Sequence, residues 1–95
     1  MKFKKSSIPE NSGRIIVSPH GANVAVFRGA NGGLHVFSPL CTHQHCEVKW
    51  NGSDKTWDCP CHGARFEATG ELKHGPAEKG LYPKPFREEG DEVLI

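Results

Sequence analysis

The chain is most tightly constrained by two short segments, Cys41-Thr42-His43 and Cys59-Pro60-Cys61-His62-Gly63. As a pattern they read Cys-x-His, fifteen intervening residues, then Cys-x-x-His. Each segment offers one sulfur and one imidazole nitrogen, so a fold that uses them must bring two loops face to face around one shared centre. The chain has 95 residues, and at that size a hydrophobic core alone is marginal. A metal centre gripping four side chains is the kind of staple such a domain needs.

Several chemistries use these residue types. Structural zinc takes Cys and His, but its ligands usually pair as Cys-x2–4-Cys, whereas here each loop gives Cys followed by His. A bare disulfide framework would leave both histidines without a role. A 2Fe–2S cluster usually takes four thiolates, and replacing two of them by imidazoles on one iron raises its potential. That replacement needs the sulfurs on one iron and the nitrogens on the other. Two Cys-then-His loops facing each other can supply this, although spacing alone leaves zinc open.

The longer stretches Cys41-Thr42-His43-Gln44-His45-Cys46 and Cys59-Pro60-Cys61-His62-Gly63-Ala64-Arg65-Phe66 resemble the two cluster-binding boxes of Rieske iron–sulfur proteins. The likeness continues through Trp50-Asn51 and Trp57-Asp58 to Thr69-Gly70 and Gly75-Pro76-Ala77, over roughly residues 13–82. Within that family the chain is most similar to Rieske domains appended to flavin-dependent oxidoreductases. The resemblance implies an all-β, Rieske-like fold of small antiparallel sheets with an inserted cluster-binding subdomain. We place a lead-in over 1–12, the Rieske domain over 13–95 and the subdomain over about 39–78. The implied cofactor is a Rieske 2Fe–2S cluster, with Cys41 and Cys59 as thiolates on one iron and His43 and His62 as neutral imidazoles on the other. His43 and His62 would then form the electron port, where a redox partner protein or flavoprotein domain docks. Reduction makes such imidazoles more basic, so the potential should fall as pH rises above their oxidised-state pKa values.

The resemblance also implies a Cys46–Cys61 disulfide tying the two loops, as is typical of cytochrome bc-type Rieske proteins; two reduced thiols are the alternative in a reducing compartment. Gly75 and Pro76 would belong to a third loop covering the cluster. His45 stands where the family commonly has Gly, and its spacing from Cys41 does not match the second box, so it reads as a non-ligand. His20, His35 and His74 read as surface or packing residues. Two departures bear on potential. High-potential relatives carry Ser and Tyr hydroxyls at the positions of Ala64 and Phe66, donating hydrogen bonds to sulfur. Such bonds favour the more negative, reduced cluster, so their loss places the potential toward the lower part of the ~−150 to +300 mV range and argues against quinol oxidation.

Along the chain, short β-branched runs bounded by turn residues predict strands rather than helices. Strands are expected over 14–18, 23–28 and 34–38, the last two joined by an Asn-Gly-Gly turn. This half is the base and carries no evident chemistry. A hairpin over 47–58, turning at 51–54, separates the two cluster loops and offers Val48, Trp50 and Trp57 for packing. Further hairpins are expected over 65–73 and 86–95. Tyr82-Pro83-Lys84-Pro85 is too proline-rich for a central strand.

Twelve basic and eleven acidic side chains leave a net charge of +1, which gives no sign of a nucleic-acid surface. Lys2, Lys4 and Lys5 at one end and Glu88, Glu89, Asp91 and Glu92 at the other read as two solvated termini. No apolar run approaches the ~18 residues of a membrane span, and no hydrophobic segment follows the basic start, so a secretory signal is not expected. The expected protein is a cytoplasmic, monomeric electron-transfer domain serving a flavin-type oxidoreductase, without a catalytic constellation of its own. A ferredoxin component of an oxygenase system is the alternative, disfavoured by Cys46 and Cys61, and a structural zinc-binding module is the other. Length excludes a complete Rieske oxygenase. Both a whole protein and a domain cut from a longer one are compatible with the sequence.

Overall fold

A computed structural model describes residues 2–17, 23–42, 46–61, 63–75 and 79–95. Ten short strands appear among them: β1 (Lys2–Lys4), β2 (Ser12–Ile16), β3 (Val24–Arg28), β4 (Leu34–Phe37), β5 (Lys49–Asn51), β6 (Thr56–Asp58), β7 (Arg65–Glu67), β8 (Leu72–His74), β9 (Arg87–Glu89) and β10 (Glu92–Leu94). The one helical element described is a single 3-10 turn over Lys5–Ser7. The strands form three antiparallel sheets, ordered β1-β10-β9, β2-β3-β4 and β5-β6-β7-β8. The all-β expectation is met.

The middle sheet divides two cores. On β3 successive side chains point to opposite faces, and both faces are covered. Ala25 and Phe27 face one buried group with Phe37, Val48, Trp57, Phe66 and Leu81. Val24 and Val26 face the other, with Ile8 and Val36, and Phe3 and Ile95 pack against it. A continuous apolar run, Val24-Ala25-Val26-Phe27, is what a strand buried on both faces requires. The first core underlies the two cysteine-containing loops.

The first strand of the middle sheet starts at Ser12, two residues before the expected start, because Gly13 is part of it. Gly13 punctuates the sequence like a turn residue but serves close packing. A Cβ there would lie 2.6 Å from Trp50 Cε3 and 2.8 Å from Trp57 Cζ2. Only a residue without a side chain lets β2 press onto the Trp50–Trp57 pair, whose ring centroids are 5.0 Å apart.

The charged ends are not simply solvated. Strand β1 pairs with β10, setting Lys2 opposite Leu94 and Lys4 opposite Glu92. Lys2 Nζ lies 3.7 Å from Glu92 Oε2, and Lys5 Nζ 3.0 Å from Glu88 Oε1. Asp91 accepts hydrogen bonds from the Ser6 amide and hydroxyl. Opposite charges at the two ends help set the register of one sheet. The proline-rich segment lies along the edge of β4 instead of joining a sheet as a central strand. Ser38 N donates to Tyr82 O at 2.8 Å, and Lys84 N to Val36 O at 2.9 Å.

Gly13→Ala is expected to lower stability by about 1–3 kcal/mol through overpacking against the two indoles. Chemical denaturation followed by Trp fluorescence measures it, and an unchanged midpoint would mean that β2 does not bear on that pair.

Candidate metal centre

Each cysteine-containing loop is closed by the same main-chain device. Cys41 N donates to Cys46 O at 2.7 Å, and Cys59 N donates to Ala64 O at 2.8 Å. In both, a cysteine opens the loop and its amide returns to a carbonyl five positions later. Outside these closures, Val48 N bonds Pro39 O at 2.7 Å on the first loop. The second loop joins β6 to β7, with Asp58 and Arg65 in register below it. It turns through Gly63, whose φ of +77° suits a residue without Cβ. The β5–β6 hairpin separates the two loops along the chain, as the sequence suggested.

The closures bury the two opening cysteines. Cys41 is 1% exposed and Cys59 3%, and both belong to the core that contains Trp57, Ala64 and Phe66. Cys46 and Cys61 are joined by a disulfide with 6.4 Å between their Cα atoms, so the loops are covalently clamped. The Sγ atoms of Cys46, Cys59 and Cys61 lie within 4.8 Å of one another. Thr42 Oγ1 donates to Lys79 O at 2.7 Å, tying the first loop to the chain that follows the third. Gly75 is exposed in that third loop. His43, His45, His62 and Pro76 lie outside the described residues. His74 is exposed on β8, and His35 is exposed beside Phe27 with ring centroids 6.0 Å apart.

Below the second loop runs a polar network that sequence inspection passed over. Arg65 reaches Asp54 at 2.6 Å and Asp58 at 3.1 Å. Thr56 Oγ1 donates to Asp58 at 2.7 Å, and Asn51 Nδ2 donates to it at 2.9 Å. Partial burial pushes the Asp58 carboxyl up, but the bonds from Asn51, Thr56 and Arg65 outweigh it and hold the group below its ordinary value. Asp54, then Asp58, holds the Arg65 guanidinium above its own. The signal was present in the sequence: Asp58 and Arg65 flank the second loop at its two feet.

The described residues fit the sulfur half of a cluster site. Two dry thiols stand at matching positions in two loops held together by a disulfide, and an imidazole follows each at close spacing in the sequence.

A family model described as the Rieske [2Fe-2S] domain matches residues 2–85. The chain belongs to the Rieske family. With the family goes its cofactor, a Rieske 2Fe–2S cluster, in place of the zinc alternative. A Bacillus subtilis protein named for a Rieske 2Fe–2S centre, YhfW, is 51% identical over 65 residues, 68% of this chain and 13% of that protein. The cytochrome b6-f complex iron–sulfur subunit of Chlorobaculum thiosulfatiphilum is 36% identical over 97% of this chain. This Rieske chain spans half the length of that subunit. Among solved structures, the cyanobacterial plasma membrane Rieske protein PetC3 from Synechocystis PCC 6803 superposes with a TM-score of 0.74 at 34% identity, over 87% of this chain and 84% of that one. The ferredoxin of carbazole 1,9a-dioxygenase from Nocardioides aromaticivorans shares the fold, with a TM-score of 0.70 at 19% identity over 97% of this chain and 90% of that one. Among the described residues of this Rieske domain, no helix is long and apolar enough to cross a membrane.

Asp58→Asn should destabilise the domain at pH 7 by about 1 kcal/mol, a modest figure because a third of the carboxyl side chain is exposed. The folded-state pKa is depressed, so the carboxylate's contribution is full above the unfolded pKa of ~3.9 and fades as pH falls through the folded value. Stability curves of the two proteins should converge at acid pH. A gap that persists there would assign the loss to shape and not to charge.

Proposed function

We propose that this Rieske domain carries single electrons through a cluster held by Cys41 and Cys59 on one iron and by His43 and His62 on the other. The observation that supports it most is the matched pair of buried, loop-opening thiols beside the Cys46–Cys61 clamp. When bound, the cluster supplies a one-electron couple. The protein's own residues do the rest. The loop closures fix the two sulfurs, the core beneath excludes water from them, and the disulfide holds the two loops together. Residues 39–78 act as the cluster-binding subdomain of a Rieske domain over 13–95. The His43 and His62 end is the electron port at which a partner docks.

The partner we propose is a flavin-type oxidoreductase, covalently continuous with this domain or separate from it, with the domain itself monomeric and cytoplasmic. Two features support this reading. The similarity to YhfW falls in a small fraction of a much longer polypeptide, the situation expected of a Rieske domain attached to a larger protein. Ala64 and Phe66, both fully buried below the second loop, offer no hydroxyl to the cluster sulfurs. A centre without those hydrogen bonds is poorly matched to quinol oxidation and better matched to low-potential donors. The oxygenase-ferredoxin reading is weaker, because the disulfide is a feature that many such ferredoxins lack.

A redox titration followed by visible absorption tests this. The expected couple is a reversible one-electron wave in the lower part of the ~−150 to +300 mV span. The double variant Ala64→Ser with Phe66→Tyr should raise it. One hydrogen bond that favours the reduced state by about 1 kcal/mol raises a one-electron potential by roughly 40 mV. A wild-type couple near the top of the range would overturn the low-potential assignment and restore the quinol-linked one.

A further inference from the structure

The second cysteine loop stands on one rung of side chains. Cys59 N donates to Ala64 O, so these two residues form a hydrogen-bonded rung. Asp58 and Arg65 are in register one step below, at a rung where the main chains exchange no bond and side chains come closest. What joins the two feet of the loop there is the ion pair itself, Arg65 Nε to Asp58 Oδ1 at 3.1 Å. The same guanidinium donates through Nη2 to Asp54 Oδ2 at 2.6 Å, in the turn of the β5–β6 hairpin, and to Thr56 Oγ1 at 3.1 Å. Asp54 is itself held in place. Its amide and that of Ser53 each donate to Asn51 Oδ1 at 3.1 Å. Asn51 Nδ2 donates to Asp58 Oδ2 at 2.9 Å and lies 3.4 Å from Asp54 Oδ2. Asn51, Asp54, Arg65 and Asp58 therefore form a closed ring that joins the hairpin turn to both feet of the loop.

We propose that Arg65 is a positioning residue for the second cysteine loop and that Asp54 is its anchor, the two fixing where the Cys59 sulfur stands. This rests on the reading of Cys59 as a cluster ligand. Shape carries the effect more than charge does. A guanidinium is planar and presents its donors in a fixed fork, so engaging carboxylates on two segments fixes its place and theirs. An ammonium is a point charge on a flexible stem and holds two such partners in no fixed geometry. The Asp54 side chain is 55% exposed and that of Arg65 32%, exposures at which an ion pair adds little to global stability. Such a contact can still set position. The loop above it is short, closed at its base by main-chain bonds, and Cys59 follows Asp58 directly. A tilt of the Asp58–Arg65 rung therefore moves the Cys59 sulfur with it.

The test uses the intact, cluster-loaded chain at neutral pH. It records the electron paramagnetic resonance of the reduced cluster, the rate of cluster loss to excess EDTA, and thermal unfolding. Arg65→Gln and Arg65→Lys should both shift and broaden the resonance. Both should speed cluster loss by roughly tenfold, the low end of what groups outside the ligand shell contribute. Asp54→Asn should move the two readouts the same way, by less, with the unfolding temperature unchanged. Val26→Ala, in the core across the middle sheet, should lower the unfolding temperature and leave the resonance as it is. An Arg65→Lys protein that behaves like the wild type would overturn the proposal by showing that charge alone suffices. A silent Asp54→Asn would overturn it by removing the anchor. A resonance altered equally in Val26→Ala would also overturn it, by reducing the effect to general loosening. Cys59→Ser tests the underlying reading separately. A cluster whose absorption survives that change leaves no ligand for Arg65 to position. A cluster lost there, with the Arg65 and Asp54 variants silent, keeps the ligand reading and refutes the positioning role alone.

Discussion

Two main-chain hydrogen bonds, Cys41 N to Cys46 O and Cys59 N to Ala64 O, set the geometry on which the rest of the centre depends. Each closes a loop on its opening cysteine, so that residue is held as a continuation of the strand ladder with its side chain in the core. A thiolate placed by a long, unclosed loop would carry the conformational entropy of that loop into metal binding. Here the second loop's closure extends the β6–β7 pairing, and the first loop's extends the isolated Leu40–Glu47 bridge. The β5–β6 hairpin, the Gly13 contact with Trp50 and Trp57, and the Asp58–Arg65 pair all act on the same strands, and so on the spacing of the two sulfurs.

The two faces of the site differ in a way that suits electron transfer. Beneath the sulfurs lie Trp57, Phe66, Ala64 and Val48, all fully buried and without a charge. On the outer side Pro60, Cys61, Gly63 and Gly75 are exposed. Charge added at a buried centre is costly without compensation, so the outer side is the one that can settle it, through water or a partner. The strongly charged segments of the chain are gathered elsewhere, in the sheet formed by β1, β9 and β10. That sheet packs against the second core, across the middle sheet from the loops.

Much of this was legible in the sequence. The family and its cofactor are legible in the Cys-then-His spacing, and the Cys46–Cys61 pairing that the resemblance implies is present. The β-branched runs placed β3 and β4 almost to the residue. What escaped was set by contacts between distant parts of the chain. Gly13 looks like a turn residue because its use, admitting two indoles, depends on residues 37 and more positions away. The lysines at the start and the acids at the end look like solvated tails because no local pattern says that residues 2–4 pair with 92–94. The Asp58–Arg65 pair could have been read from hairpin register, since both flank the same loop. The clasp from Thr42 to Lys79 could not, because a hydroxyl meeting a backbone carbonyl 37 positions away leaves no trace in residue type.

The disulfide and the cluster constrain the same two loops, and their effects should not be added as if independent. The disulfide spans 15 positions, and in the chain-entropy view a loop of that length contributes ~3 kcal/mol by restricting the unfolded chain. Once Cys46 and Cys61 are joined, much of the entropy of bringing the two cysteine loops together has already been lost, and the proposed ligation by Cys41 and Cys59 would have little left to remove. Cluster binding then goes mainly into metal–ligand bonds rather than loop ordering, which is the meaning of preorganisation. The converse also holds. With the loops pinned, a small domain whose core is marginal by size has part of its loop-ordering cost met by the disulfide alone.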